Sequence, residues 1–156
     1  IQGSAEEVVL RGHLMQTVAA RWGIIAGVSI QAVLFAVLHG ANPGVSVVAV
    51  VNIALFGLML GVLVLWRGSL WPAVGFHGVW NWLQGPVLGF DVSGMDFGQT
   101  ILRQTHPTTA SRLWTGGSFG AEAALPTTVF LVVVTGLLIV VWRAGKMSGS
   151  PEHLSN

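Results

Sequence analysis

Glu6 and Glu7 stand side by side near the start of the chain, followed by Arg11, His39, His77 and Asn81. Glu7 and Arg11 are four residues apart, so on a helix they share one face and can form an ion pair. Glu6 lies about 100° around the same helix, which leaves its carboxylate free to point elsewhere. His77 and Asn81 are also four apart, as are Phe35 and His39. Each pair shares a helical face, and Phe35 can pack beside the His39 ring. Gathered in one low-dielectric pocket, a carboxylate, two imidazoles and a carboxamide suit the activation of water. The carboxylate takes a proton from water, while imidazole and amide groups donate to the oxyanion that forms as a carbonyl is attacked. Glu6, His39 and His77 also match a three-ligand zinc site with an open position. The helical HExxH motif of zinc peptidases is absent from the sequence.

Composition says what must position these groups. Of the 156 residues, 53% are hydrophobic and 8% charged, against about 25% charged in soluble domains. So little charge cannot cover a water-facing surface, and lipid is the expected solvent. An ionisable group at membrane depth is costly, which makes each residue above a functional candidate. Segments 22–39, 45–66, 70–89 and 125–142 approach the roughly 20 apolar residues that cross a bilayer. The stretch from Ala5 to Ala20 reads as a further helix, with Ser4 as N-cap and both acids in its first turn. It is too polar for a lipid-facing span and is expected to lie against the others. The expected fold is an all-α, multi-pass transmembrane helix bundle of about four spanning helices plus this N-terminal buried or interfacial one. Residues 1–145 form its core, with a start at Ile1 that suits a core lacking upstream helices, and 146–156 form a disordered polar tail.

If the segments alternate, Arg21, Arg67, Arg143 and Lys146 fall on one side of the membrane, and the positive-inside rule makes that side cytoplasmic. His39 then lies near the opposite end of its span. The connection over 90–124 is too long for a bare linker and is expected to fold over the bundle. Its "TGGSFGAE" stretch (115–122) follows no strand, so it suits a loop closing the pocket better than a phosphate loop, with Glu122 a minor site candidate. Most of the seven Trp lie near span ends, as an interfacial belt requires. Trp80 and Trp82 flank Asn81 and are assigned to packing ahead of a substrate groove. His13, His106 and His153 read as solvated or interfacial. A net charge of +1 gives no basis for nucleic-acid binding, and with no Cys there is neither a disulfide nor a thiolate metal site.

Three motifs, in order on apolar segments, carry a resemblance. "EEVVLRG" fits EExxxR (Glu6, Glu7, Arg11), "FAVLH" fits FxxxH (Phe35, His39), and "HGVWN" fits HxxxN (His77, Asn81). Over roughly residues 5–85 the chain resembles the CPBP intramembrane protease family, also called the CAAX protease or Abi family, which includes the Rce1-type prenyl-protein endopeptidases. The resemblance implies an all-helical membrane protease in which Glu6 activates the attacking water and His39 helps hold that water or a metal. It further implies that His77 and Asn81 stabilise the oxyanion, with Glu7, Arg11 and Phe35 supporting the site. A divalent metal such as zinc, if used, would be held by Glu6, His39 and His77. The partners implied are membrane lipid and a membrane-associated or lipid-modified peptide, in a bacterial or archaeal plasma membrane. Oligomeric state is not legible.

Blander assignments exist for each motif. Glu6, Glu7 and Arg11 also fit a helix start at the membrane surface, with Arg11 snorkelling. His39 also fits a helix end beside the "GANPG" turn. At the level of function, a non-catalytic immunity or partner-binding protein of the same fold and a proton- or ion-conducting bundle stand beside the peptidase. Geometry separates them: a peptidase needs Glu6, His39, His77 and Asn81 around one cavity.

Overall fold

Each long apolar stretch becomes a helix in the computed structural model, which describes residues 1–105 and 109–148. Helix α1 (Gln2–Glu7) runs through a π-helical segment (Val8–Leu14) into α2 (Met15–Trp22). Gly23, at φ 88°, reverses the chain into α3 (Ile24–His39). Helix α4 (Val47–Arg67) starts at Ser46, whose Oγ accepts from the Ala49 N–H, and ends at Gly68 in the left-handed region. Helix α5 (Trp71–Trp82) has Pro72 in its first turn and continues as a second π segment, Leu83–Val87, which contains Pro86. A short α6 (Arg112–Thr115) precedes α7 (Leu125–Ser148). Among the described residues there is no strand, only an isolated Val92–Met95 bridge. The fold is all-helical, as expected.

Several boundaries differ from the sequence expectation. Ser4 lies inside the first helix, which begins at Gln2 after Ile1 and has no side-chain cap. Two helices, α4 and residues Leu125–Lys146 of α7, are long and apolar enough to span a bilayer, while α3 is a shorter apolar helix of 16 residues. The 70–89 segment is no single helix, because α5 gives way to the π segment at Leu83. Helix α7 runs to Ser148, past the expected start of the tail; residues 149–156, including His153, and residues 106–108, including His106, lie outside the described residues.

Helix α4 is the centre of the bundle. Its spanning window is 56% buried, against 11% for α7, so α4 meets protein and α7 turns Val129, Val132, Val133, Leu137 and Val140 outward. Lipid is the solvent that accepts such a face. Phe35, Phe56, Met15, Met59, Leu60 and Leu131 fill the core. Small residues let backbones approach: a Cβ on Gly27 would lie 2.6 Å from the Met15 carbonyl, and one on Gly57 would lie 3.0 Å from the Ala32 Cα. The buried Gln31 amide spans α3 and α4, donating to the Val28 and Gly57 carbonyls at 2.9 Å each.

The same contacts fix direction. Arg11 lies beside Gly57 and Met15 beside Gly61, so the opening helix runs alongside α4 in the same sense. Thr128, in the first turn of α7, donates to Asn52 Oδ1 near the start of α4. The ends carrying Arg21, Arg67 and Arg143 therefore lie together, and the 40–46 and 90–124 connections lie at the other end.

Candidate active site

The EExxxR motif straddles the end of α1, which carries Glu6 and Glu7, and the π-helical segment, which carries Arg11. There the Met15 N–H reaches the Leu10 carbonyl five residues back, the wider winding that often marks functional positions. Glu7 and Arg11, both fully buried, face inward. Glu7 Oε1 accepts from Arg11 Nη1 at 2.9 Å and from His77 Nδ1 at 2.8 Å. Arg11 also lies over the Phe35 ring, 4.5 Å from its centroid. A buried carboxylate thus meets a guanidinium and an imidazole from a helix 70 residues away, which neutralises both charges and holds the His77 ring. Gly3 makes room for that ring, since a Cβ there would come within 3.1 Å of it.

Glu6 points the other way, into a cavity of about 180 Å³ lined also by His39, His77 and Asn81. Its Oε1 accepts from Gln2 Nε2 at 3.0 Å, and its Oε2 lies 3.7 Å from His77 Nε2. That gap is too long for a direct hydrogen bond and suits a bridging water. His39 Nδ1 donates to the Phe35 carbonyl at 2.8 Å, because a carbonyl can only accept, so Nε2 is its remaining polar atom. Phe35 joins the motifs: its ring meets His39 edge-on at 4.5 Å and His77 at 6.0 Å. All four residues expected around one cavity therefore line it, as does Phe35, while Glu7 and Arg11 stand behind His77.

Among the described residues, no three His, Asp, Glu or Cys side chains are gathered so that they could hold a metal ion. The Glu6, His39 and His77 set shares the cavity without that closeness, although each imidazole commits only Nδ1 to a protein acceptor and keeps Nε2 free. As arranged, the three side chains are not drawn together as a zinc site would require.

The long connection does fold over the site, through Val92, Ser93, Met95, Phe97 and Glu122 in the cavity wall. The sequence under-read two residues here. Buried Asn52 donates to the Glu122 and Ala124 carbonyls at 2.7 and 3.0 Å, pinning the connection to α4. Its signal was a lone amide in an otherwise apolar stretch. Glu122 is buried and accepts from Trp80 Nε1 at 3.0 Å, which gives Trp80 a polar anchor besides its packing on Phe56 and Phe76. Trp82 and His13 are exposed.

The comparisons agree with the motif pattern. No curated protein and no solved structure matches the chain closely. A family model described as type II CAAX prenyl endopeptidase Rce1-like matches residues 1–83, just over half of the chain and the stretch that contains all three motifs. The chain belongs to the Rce1-like family, a family of membrane proteases.

Proposed function

We propose that the chain is an intramembrane endopeptidase that hydrolyses a peptide bond with water activated by Glu6. The observation that carries this reading is the cavity itself, in which Glu6, His39, His77 and Asn81 meet. Water held between Glu6 Oε2 and the imidazoles gives a proton to Glu6 as its oxygen attacks the carbonyl carbon. The oxyanion accepts from the Asn81 amide and from His77 Nε2–H. In that role the His77 ring carries both protons, with Nδ1–H committed to Glu7. His39 Nε2 orients the water. As the tetrahedral intermediate collapses, the C–N bond breaks and Glu6 returns its proton to the leaving amine, which restores the carboxylate. No step in this reading is routed through a metal, since Glu6, His39 and His77 are not gathered around one point.

The substrate in this reading is a membrane-associated or lipid-modified peptide. The bundle spans a bacterial or archaeal plasma membrane, with about four crossings once α3 and α5 are counted. With Arg21, Arg67 and Arg143 on the cytoplasmic side, the cavity opens toward the opposite face.

A quenched-fluorescent peptide library presented to the chain in proteoliposomes tests the reading. Cleavage is expected, and it should survive a strong chelator with less than about twofold loss, whereas a zinc peptidase stripped of metal loses its activated water. Inactivation by chelator with recovery on added zinc would overturn the metal-free mechanism. Proton flux through the liposomes without any cleavage would favour the conducting bundle.

A further inference from the structure

Past residue 83, where the family match ends, the chain builds a second wall of the cavity from one tight turn. Val92 and Met95 close the turn with reciprocal backbone hydrogen bonds of 3.0 Å. Ser93 between them has φ 51°, a conformation that a non-glycine residue keeps only when its surroundings enforce it. Here they do. Ser93 N–H and Oγ–H donate to Glu122 Oε2 at 2.8 and 2.7 Å, and the Ser93 carbonyl accepts from Asn42 Nδ2 at 2.9 Å. Gly94 N–H donates to the Phe119 carbonyl at 3.0 Å, and the Gly94 backbone presses on Pro43 so closely that a Cβ would lie 2.0 Å from its carbonyl oxygen.

Glu122 is 6% exposed, and every hydrogen bond described for it comes from a neutral donor. Its Oε1 accepts from Trp80 Nε1 at 3.0 Å and from Gln84 Nε2 at 3.4 Å, on either side of Asn81 in sequence. One carboxylate therefore ties the turn to the segment that carries His77 and Asn81. Asn42, three residues past His39, ties the same turn to the end of α3. A neutral amide at position 122 offers one acceptor oxygen in place of two, so it cannot serve both donor pairs. Nothing in the water-activation chemistry uses this carboxylate.

We propose that Glu122 is a positioning residue that fixes the 92–97 turn as the specificity wall of the cavity, where Met95 and Phe97 select an apolar group next to the scissile bond. Met95 and Phe97 both line the cavity that Glu6, His39, His77 and Asn81 also line, and both stay half-exposed. Phe97 is seated on the bare backbone of Gly85, where a Cβ would come within 2.8 Å of its ring. A polar wall that holds the peptide bond and an apolar wall that holds a side chain is the usual division in a small-molecule or peptide site. The inference rests on the peptidase reading for the words "scissile bond", and its test is chosen to separate the two.

The test is binding, measured by fluorescence anisotropy on the Glu6→Gln protein with short labelled peptides that differ only in Ala, Leu or Phe at one central position. Phe97→Ala and Met95→Ala in that background are expected to weaken the Leu and Phe peptides about tenfold and the Ala peptide less than about twofold. Both side chains are half-exposed, so these variants should fold. Glu122→Gln should show the same loss of selectivity, because it releases the turn. An equal loss for all peptides would mark a merely structural role and overturn the proposal, as would unchanged ratios or no binding at all. If the unsubstituted chain binds selectively but cleaves none of these peptides, the wall stands and the peptidase reading falls. Cleavage with a flat side-chain preference would do the reverse.

Discussion

Glu6→Gln is expected to lower kcat/KM for peptide hydrolysis by about 10²–10⁴-fold, the usual contribution of a positioned general base. The substitution keeps the shape of the side chain and leaves Oε1 able to accept from Gln2 Nε2, so the fold has no reason to change. Glu6 lines the cavity, partly open to it, and lies outside the Glu7–Arg11 pair, which keeps both its partners. Steady-state rates in micelles, beside a thermal unfolding curve, check both halves. A variant that unfolds with the parent and no longer cleaves fits the account; one that cleaves at the parent rate removes Glu6 as the base.

Arg11→Ala is expected to do something different: to destabilise the protein by about 3–5 kcal/mol, as when one partner of a buried ion pair is deleted. Glu7 would keep only His77 as a partner, inside a fully buried site, and Phe35 would lose the guanidinium stacked on it. The double variant Glu7→Gln/Arg11→Met removes both charges together and should recover most of that stability. It should remain slow in catalysis, because His77 Nδ1 no longer meets a carboxylate. Denaturant titration in mild detergent reads the first effect and peptide turnover the second. A double variant as unstable as Arg11→Ala would show that the pair contributes something other than charge balance.

The local parts of the site were legible from spacing. Glu7 and Arg11, four apart, do pair, and Phe35, four before His39, does pack on its ring. Glu6 and Glu7 do part ways, one toward the cavity and one toward the ion pair. The link between Glu7 and His77 was not legible, since it joins residues 70 apart. No periodicity encodes how two helices cross. The same holds for Glu122 with Ser93 and for Asn52 with the 122–124 backbone. These are side-chain-to-loop bonds that exist only once the connection has folded back over the bundle. The π winding at Val8–Leu14 and Leu83–Val87 was not legible. Apolar composition over 70–89 cannot distinguish i→i+4 winding from i→i+5, and Ser4 looked like a cap because its side chain suits one. Bundle class followed from composition, and α4 and α7 are the helices long and apolar enough to span a bilayer, with α3 a shorter apolar one.

The central claim is that Glu6 and His77 act on one water and one carbonyl as a unit, and a double-mutant cycle tests it most directly. Single-turnover cleavage of one reporter peptide would be measured for the parent chain, Glu6→Gln, His77→Ala and the double variant. Groups that work as a unit are strongly non-additive, so the double variant should be no slower than the slower single, within about threefold. Losses that multiply across the cycle, or a single variant that retains the parent rate, would contradict it.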